Sequence, residues 1–216
     1  MIEIVNGTLD FGKVRVLDNI NLNVHKGEIC GIIGRNGSGK TVMFKTICGF
    51  YKFTKGDLII NNKIIKSDSD IPRNIGSIIE TPGFLGNHTG YMNLKFLADI
   101  NGIIGKKEIY QAMELVGLDP KSKKSVSKYS LGMRQRLGLA QSFMEGQEIL
   151  ILDEPMNGLD NDGVSDMRKL FLKLKEQGKT ILIASHNRED IDILCDRVYR
   201  MDKGILSEAI KESRSS

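Results

Sequence analysis

Gly34-Arg35-Asn36-Gly37-Ser38-Gly39-Lys40-Thr41 decides how the rest of this chain is read. The apolar run Ile29-Cys30-Gly31-Ile32-Ile33 precedes it and Val42-Met43-Phe44 follows, so the stretch reads as strand, glycine loop and helix start. Gly34, Gly37 and Gly39 let the backbone turn with its N–H groups inward, and a helix opening near Lys40 adds the positive end of its dipole. The product is an anion cradle. In it Lys40 would reach the β- and γ-phosphates of a nucleotide, and the Thr41 hydroxyl would take one position on a Mg2+ ion. A glycine-rich turn that matches by accident is the competing reading, and the surrounding chain has to decide between them.

Further along, Ile149-Leu150-Ile151-Leu152 reads as a buried parallel strand by its length and β-branching. Asp153-Glu154-Pro155 follows directly. An Asp at a strand end can hold Mg2+ opposite the phosphate loop, and the neighbouring Glu can orient and deprotonate an attacking water. Thr180-Ile181-Leu182-Ile183-Ala184 is a second buried strand, ending at Ser185-His186, where a donor to the γ-phosphate belongs. Val164, Met167, Phe171 and Leu174 line one face of a helix between the two strands. Strands alternating with helices imply a largely parallel sheet, with the ligand at the carboxyl ends of its strands.

The amino-terminal part is different. Residues 2–5 and 14–17 read as short strands about a turn at residues 10–13, and Ile20, Leu22 and Val24 alternate with asparagines as a further half-buried antiparallel strand. A helix runs from Lys40 to about Gly49, residues 58–60 and 63–65 form a hairpin about Asn61-Asn62, and residues 75–79 form a strand ending at Glu80-Thr81-Pro82-Gly83. Helical spacing then takes over in Tyr91, Leu94, Leu97 and Ala98, and again in Ile109, Ala112, Met113 and Val116, with Gly117 and Pro120 as stops. A helix from Met133 to about Met144 returns the chain to the core. Residues 82–138 are thus expected as a helical insertion, and residues 1–81 and 139–216 as the nucleotide core with its antiparallel part, all within one domain.

Composition narrows the function. The 216 residues, 40% hydrophobic and 27% charged, are those of a globular protein. No apolar run approaches the ~20 residues of a membrane span, and the amino terminus has no signal pattern, so a cytoplasmic location is expected. A net charge of +4 lacks the concentrated basic face of a nucleic-acid binder, and no nucleic-acid partner is expected. Cys30, Cys48 and Cys195 have no metal spacing and read as reduced core residues. His25 and His88 read as surface or turn residues, and the last residues, 211–216, as a frayed end.

Tyr129-Ser130-Leu131-Gly132-Met133-Arg134-Gln135-Arg136 lies about twenty residues before Asp153. Ser130 and Gly132 sit at a helix start, so hydroxyl, free N–H groups and dipole make a second anion site. One chain already has a complete cradle. A second one beyond the helical insertion is explained if it closes over the nucleotide of another copy.

Over nearly its whole length the chain resembles the nucleotide-binding subunits of ABC (ATP-binding cassette) transporters. Residues 34–41 look like the Walker A loop, residues 149–154 like the Walker B strand with its catalytic carboxylate, and residues 130–133 like the signature motif. Asn157-Gly158-Leu159-Asp160 is similar to the D-loop, His186 to the switch histidine, and Phe11, 23 residues before Gly34, to the aromatic residue stacked on adenine. The resemblance implies an α/β fold with a P-loop NTPase core of mixed, largely parallel sheet, an antiparallel β subdomain and a helical insertion. It also implies ATP with Mg2+ held by Thr41, Asp153 and Glu80, catalysis by Glu154, His186 and Lys40, and nucleotide contacts from Phe11, residues 34–41 (Arg35, Asn36 and Ser38 among them), Ser130, Gly132 and Asp160. The implied partners are a second copy, head to tail, and separate transmembrane permease subunits that hold the cassette on the inner face of the membrane.

Two departures from the family pattern stand out. Leu131 and Met133 replace the usual Gly and Gln of the signature, and Glu80 stands in place of a Gln that senses Mg2+ and the attacking water. The stretch around Glu80 and the Asn157–Asp160 stretch resemble the bacitracin-resistance and lantibiotic-immunity subgroup, which points to export of an antimicrobial peptide or antibiotic. The rivals are an importer ATPase, an ABC ATPase acting on ribosomes or DNA, and a regulatory nucleotide-binding module. The ribosome- or DNA-acting relatives usually carry two cassettes or a long coiled coil, and the regulatory reading conflicts with intact Glu154 and His186.

Overall fold

A computed structural model describes residues 1–67, 70, 74–81 and 83–209. Pro82, expected to open the helical insertion, and residues 211–216, expected as a frayed end, lie outside the described residues. The chain begins with β1 (Ile2–Phe11) and β2 (Val14–Val24), an antiparallel pair. Both are longer than the alternation predicts, because one strand runs through residues that read as two. Asn6 (φ 51) and Asn19 (φ 49) are left-handed, and the register shifts between Ile4 and Gly7 and between Gly7 and Leu9. Asparagine tolerates that conformation better than most residues. Each bulge resets which side chains face inward, so the period-two pattern breaks while the ladder continues.

β3 (Ile29–Ile33) leads into the phosphate loop and α1 (Lys40–Ile47). β4 (Lys55–Ile60) and β5 (Lys63–Ile64) then complete a four-stranded antiparallel sheet in the order β2-β1-β4-β5. β6 (Ile75–Ile78) follows. α2 (Gly90–Asn101), α3 (Lys106–Leu115), a 3-10 turn (Val126–Lys128) and α4 (Leu131–Phe143) separate it from β7 (Ile149–Asp153). α5 (Asn161–Glu176), β8 (Thr180–Ala184), α6 (Arg188–Leu194), β9 (Arg197–Asp202) and β10 (Ile205–Ala209) end the described chain. The second sheet has the order β10-β9-β3-β8-β7-β6, parallel throughout except for the β9-β10 hairpin.

The continuous apolar runs follow from that placement, because a strand covered on both faces has no solvent side. Ile149 and Ile151, with Leu182, Ala184, Cys30 and Ile32, face α1 and the antiparallel sheet. Leu150 and Leu152, with Ile181, Ile183 and Ile29, face α2 to α6. Two apolar layers therefore grip the strands from opposite sides, and the polar residues come at strand ends, where the layers stop. Cys30 and Cys195 are buried, and none of the three cysteines is in a disulfide. Burial, the first cause, pushes the Cys48 thiol up to about 12 and Cys30 higher still, so both stay protonated at neutral pH. No described helix is long and apolar enough to cross a membrane.

Candidate nucleotide-binding site

Each polar group of the site sits just past the carboxyl end of a parallel strand. β3 delivers the loop of residues 34–39, β7 delivers Asp153 and Glu154, and β8 delivers Ser185 and His186. Because β3, β8 and β7 are neighbours, three segments far apart in sequence meet at one edge of the sheet.

The loop is shaped by close approach. A Cβ on Gly34 would lie 2.3 Å from the Met201 carbonyl oxygen, and Gly39 holds φ 114, which side chains avoid. Lys40 is 7% exposed, and its ammonium donates to the carbonyls of Gly34 (2.7 Å) and Arg35 (3.3 Å), folded over the cradle it closes. The Ser38 hydroxyl is buried with no hydrogen-bond partner. A cradle with an unmet polar atom and a buried ammonium fits a phosphate chain.

Thr41 donates to Asp153 Oδ2 at 2.7 Å, which brings together the hydroxyl and carboxylate expected to share a metal ion. No group of three or more His, Cys, Asp or Glu suited to a metal occurs among the described residues. The Thr41 hydroxyl and Asp153 carboxylate are oxygen donors of the kind Mg2+ takes, one or two from the protein with water and phosphate completing its octahedron. Glu154 is left-handed at φ 49, and His186 Nδ1 lies 2.8 Å from its Oε2. Strain of this kind at a carboxylate facing a cleft is typical of functional positions.

A cleft of about 530 Å3 is lined by Asn36 to Thr41, Glu80, Asp153 and Glu154. Gly34, Arg35 and His186 line a larger neighbouring cavity, about 780 Å3, which lacks Lys40, Thr41 and both acids. The chemistry converges on the smaller one. Glu80, also left-handed (φ 64), is paired with Lys45 at 2.8 Å. Ser130, Gly132, Asp160 and Phe11 lie off this lining. Ser130 is exposed and its hydroxyl caps α4 at Met133 N–H (3.1 Å), while Asp160 caps α5 at Gly163 N–H (2.9 Å). Gly132 packs against the Gly158 carbonyl, so the residues at the start of α4 and the segment before α5 form one surface. Phe11 is 44% exposed and meets Tyr51 edge to face at 5.1 Å.

Sequence reasoning gave no site role to Lys45, Val16, Arg134 and Gln135. All but Lys45 line the cleft, and Gln135 Nε2 donates to the Glu154 carbonyl at 3.3 Å. The signal for Lys45 lay in its position on α1, one turn beyond Thr41, where only the fold brings it to Glu80.

The model of the ABC transporter family matches residues 17–157. Over 215 residues the chain is 43% identical to the bacitracin transport ATP-binding protein BcrA of Enterococcus faecalis, covering 99% of this chain and 70% of that protein. It is 38% identical to the lantibiotic transport ATP-binding protein SrtF of Streptococcus pyogenes over 91% of this chain and 84% of that one. A dimeric bacterial ABC transporter cassette superposes with a TM-score of 0.90 at 24% identity, covering 99% of this chain and all of that one. With a phosphate cradle, two acids and a histidine at adjoining strand ends, the chain belongs to the ABC transporter family and is its ATP-binding, ATP-hydrolysing subunit.

Proposed function

We propose that two copies pair head to tail, each nucleotide being held between the phosphate loop of one and Ser130 with Gly132 of the other. Within each copy Glu154 orients the attacking water and takes its proton. His186 and Lys40 stabilise charge on the γ-phosphate, residues 34–41 bind the phosphate chain, and Phe11 meets the adenine. Thr41 and Asp153, with Glu80, would hold Mg2+, which supplies neutralising charge at the phosphate oxygens. Asp160 communicates between the paired sites. Phe84, Leu85 and the helix around Tyr91 receive the permease, within a helical part that the nucleotide core flanks in sequence.

The observation that carries this reading is the 2.8 Å contact of Glu154 with His186 beside the cradle. It sets the proton acceptor and the phosphate donor next to each other at the strand ends. Exposed Ser130, which lies off the cleft lining, and the 51% exposed Leu131 at its rim support a contact surface at the start of α4. The relatives' names support export of an antimicrobial peptide such as bacitracin or a lantibiotic, by way of separate membrane permease subunits that keep this chain at the cytoplasmic face.

Glu154→Gln tests the assignment. Losing the proton acceptor should lower kcat by about 100-fold while ATP still binds. Normal turnover in that variant would remove Glu154 from the mechanism.

A further inference from the structure

Arg168, Asp190 and Ser185 make a buried relay behind His186. Arg168 on α5 donates from Nε (2.9 Å) and from a terminal nitrogen to Asp190 Oδ1 on α6. The other carboxylate oxygen, Oδ2, accepts from the Ser185 hydroxyl at 3.3 Å, and that hydroxyl accepts from Asn187 N–H at 3.1 Å. Asp190 and Ser185 are each only 3% exposed. A carboxylate so far from water is retained at a cost in desolvation, which its hydrogen bonds from half-buried Arg168 and from Ser185 offset.

The geometry explains what the pair is for. Residues 185–187 leave the end of β8, and His186 itself is 67% exposed, so nothing packed around the ring fixes it. What is fixed is the backbone on either side: Ser185 from Asp190 and Asn187 from Ser185. We infer that Asp190, anchored by Arg168, is a positioning residue for His186, holding the turn so that Nδ1 meets Glu154. The inference rests on the assignment of His186 to the γ-phosphate site. Glu189 also pairs with Arg168 at 3.0 Å, through a carboxylate that is 66% exposed.

The test uses the full chain with three variants. Ser185→Ala keeps both partners of the Arg168–Asp190 pair and removes the hydroxyl that joins Asp190 to Asn187 N–H. It should lower kcat by about tenfold, with KM for ATP within about twofold, because a misplaced group costs the transition state more than binding. Asp190→Asn should lower kcat at least as far. His25, His88 and His186 are the only histidines, so ring 15N signals separate them. In Ser185→Ala the His186 signal should move and the other two should stay. Unchanged kcat in both variants, or a lower melting temperature with an unmoved His186 signal, overturns the inference. His186→Ala run alongside separates the causes: normal turnover there overturns the His186 assignment and this inference with it, whereas an inactive His186→Ala beside two normal variants overturns this inference alone.

Discussion

Lys45 and Glu80 place a paired carboxylate at the rim of the nucleotide cleft, where the family resemblance implies a neutral amide. The Glu80 hydrogen bond is the main cause holding the Lys45 ammonium above its usual range, so that cation persists through neutral pH. Glu80 is 64% exposed at its side chain, and an ion pair as open as this contributes little to folding. Its weight falls on the cleft, where a negative charge near the γ-phosphate must be offset by Lys45 or by a metal ion. Glu80→Gln should therefore shift the Mg2+ concentration for half-maximal turnover, or kcat itself, by about threefold or more, and change ATP affinity less. The melting temperature should hardly move. A Mg2+ titration of ATPase activity beside a nucleotide-binding assay decides it, and unchanged kinetics would make Glu80 a structural residue only.

Between residue and molecule, the elements divide by how their signal is written. β3, β7 and β8 were legible because burial on both faces demands apolar runs, and α2, α3 and α5 because one apolar stripe repeats at helical spacing. The site was legible where function dictates a dense local pattern, as in Gly34 to Thr41 and Asp153-Glu154. α6, β9 and β10 were not anticipated. α6 has seven residues, and in β9 Arg197 and Arg200 interrupt the apolar set, with Arg197 bonded to the Asn23 carbonyl and to Tyr199. Their turn is nonetheless decisive for the loop. Lys203 (φ 46) and Gly204 (φ 81) make the doubly left-handed bend of a two-residue hairpin. Gly204 N–H donates to the Ser38 carbonyl at 2.8 Å, and a Cβ there would stand 2.3 Å from the Val16 carbonyl oxygen. Gly204→Ala should cost about 1–3 kcal/mol in a denaturant midpoint and raise KM for ATP, since the strained turn braces the cradle. Wild-type stability would mean that the hairpin shifts without consequence for β2.

At the scale of the molecule, Ser130 and Gly132 lie off the cleft that holds Lys40, Thr41, Asp153 and Glu154. Ser130, which caps α4 at Met133 N–H, is exposed, with Leu131 exposed beside it. On the proposed reading they bind the phosphate of another chain, and nucleotide joins two subunits that hydrolysis releases. On that reading dimerisation should depend on ATP and on Ser130. With Glu154→Gln to block turnover, addition of ATP should double the mass read by light scattering, and ADP should leave it single. Adding Ser130→Arg places a long cation where the partner's nucleotide would sit, and this double variant should stay single while still binding ATP. A double variant that pairs as well as Glu154→Gln alone would put the joining surface elsewhere. An ATP-loaded Glu154→Gln chain that remains single at high concentration would overturn the shared site.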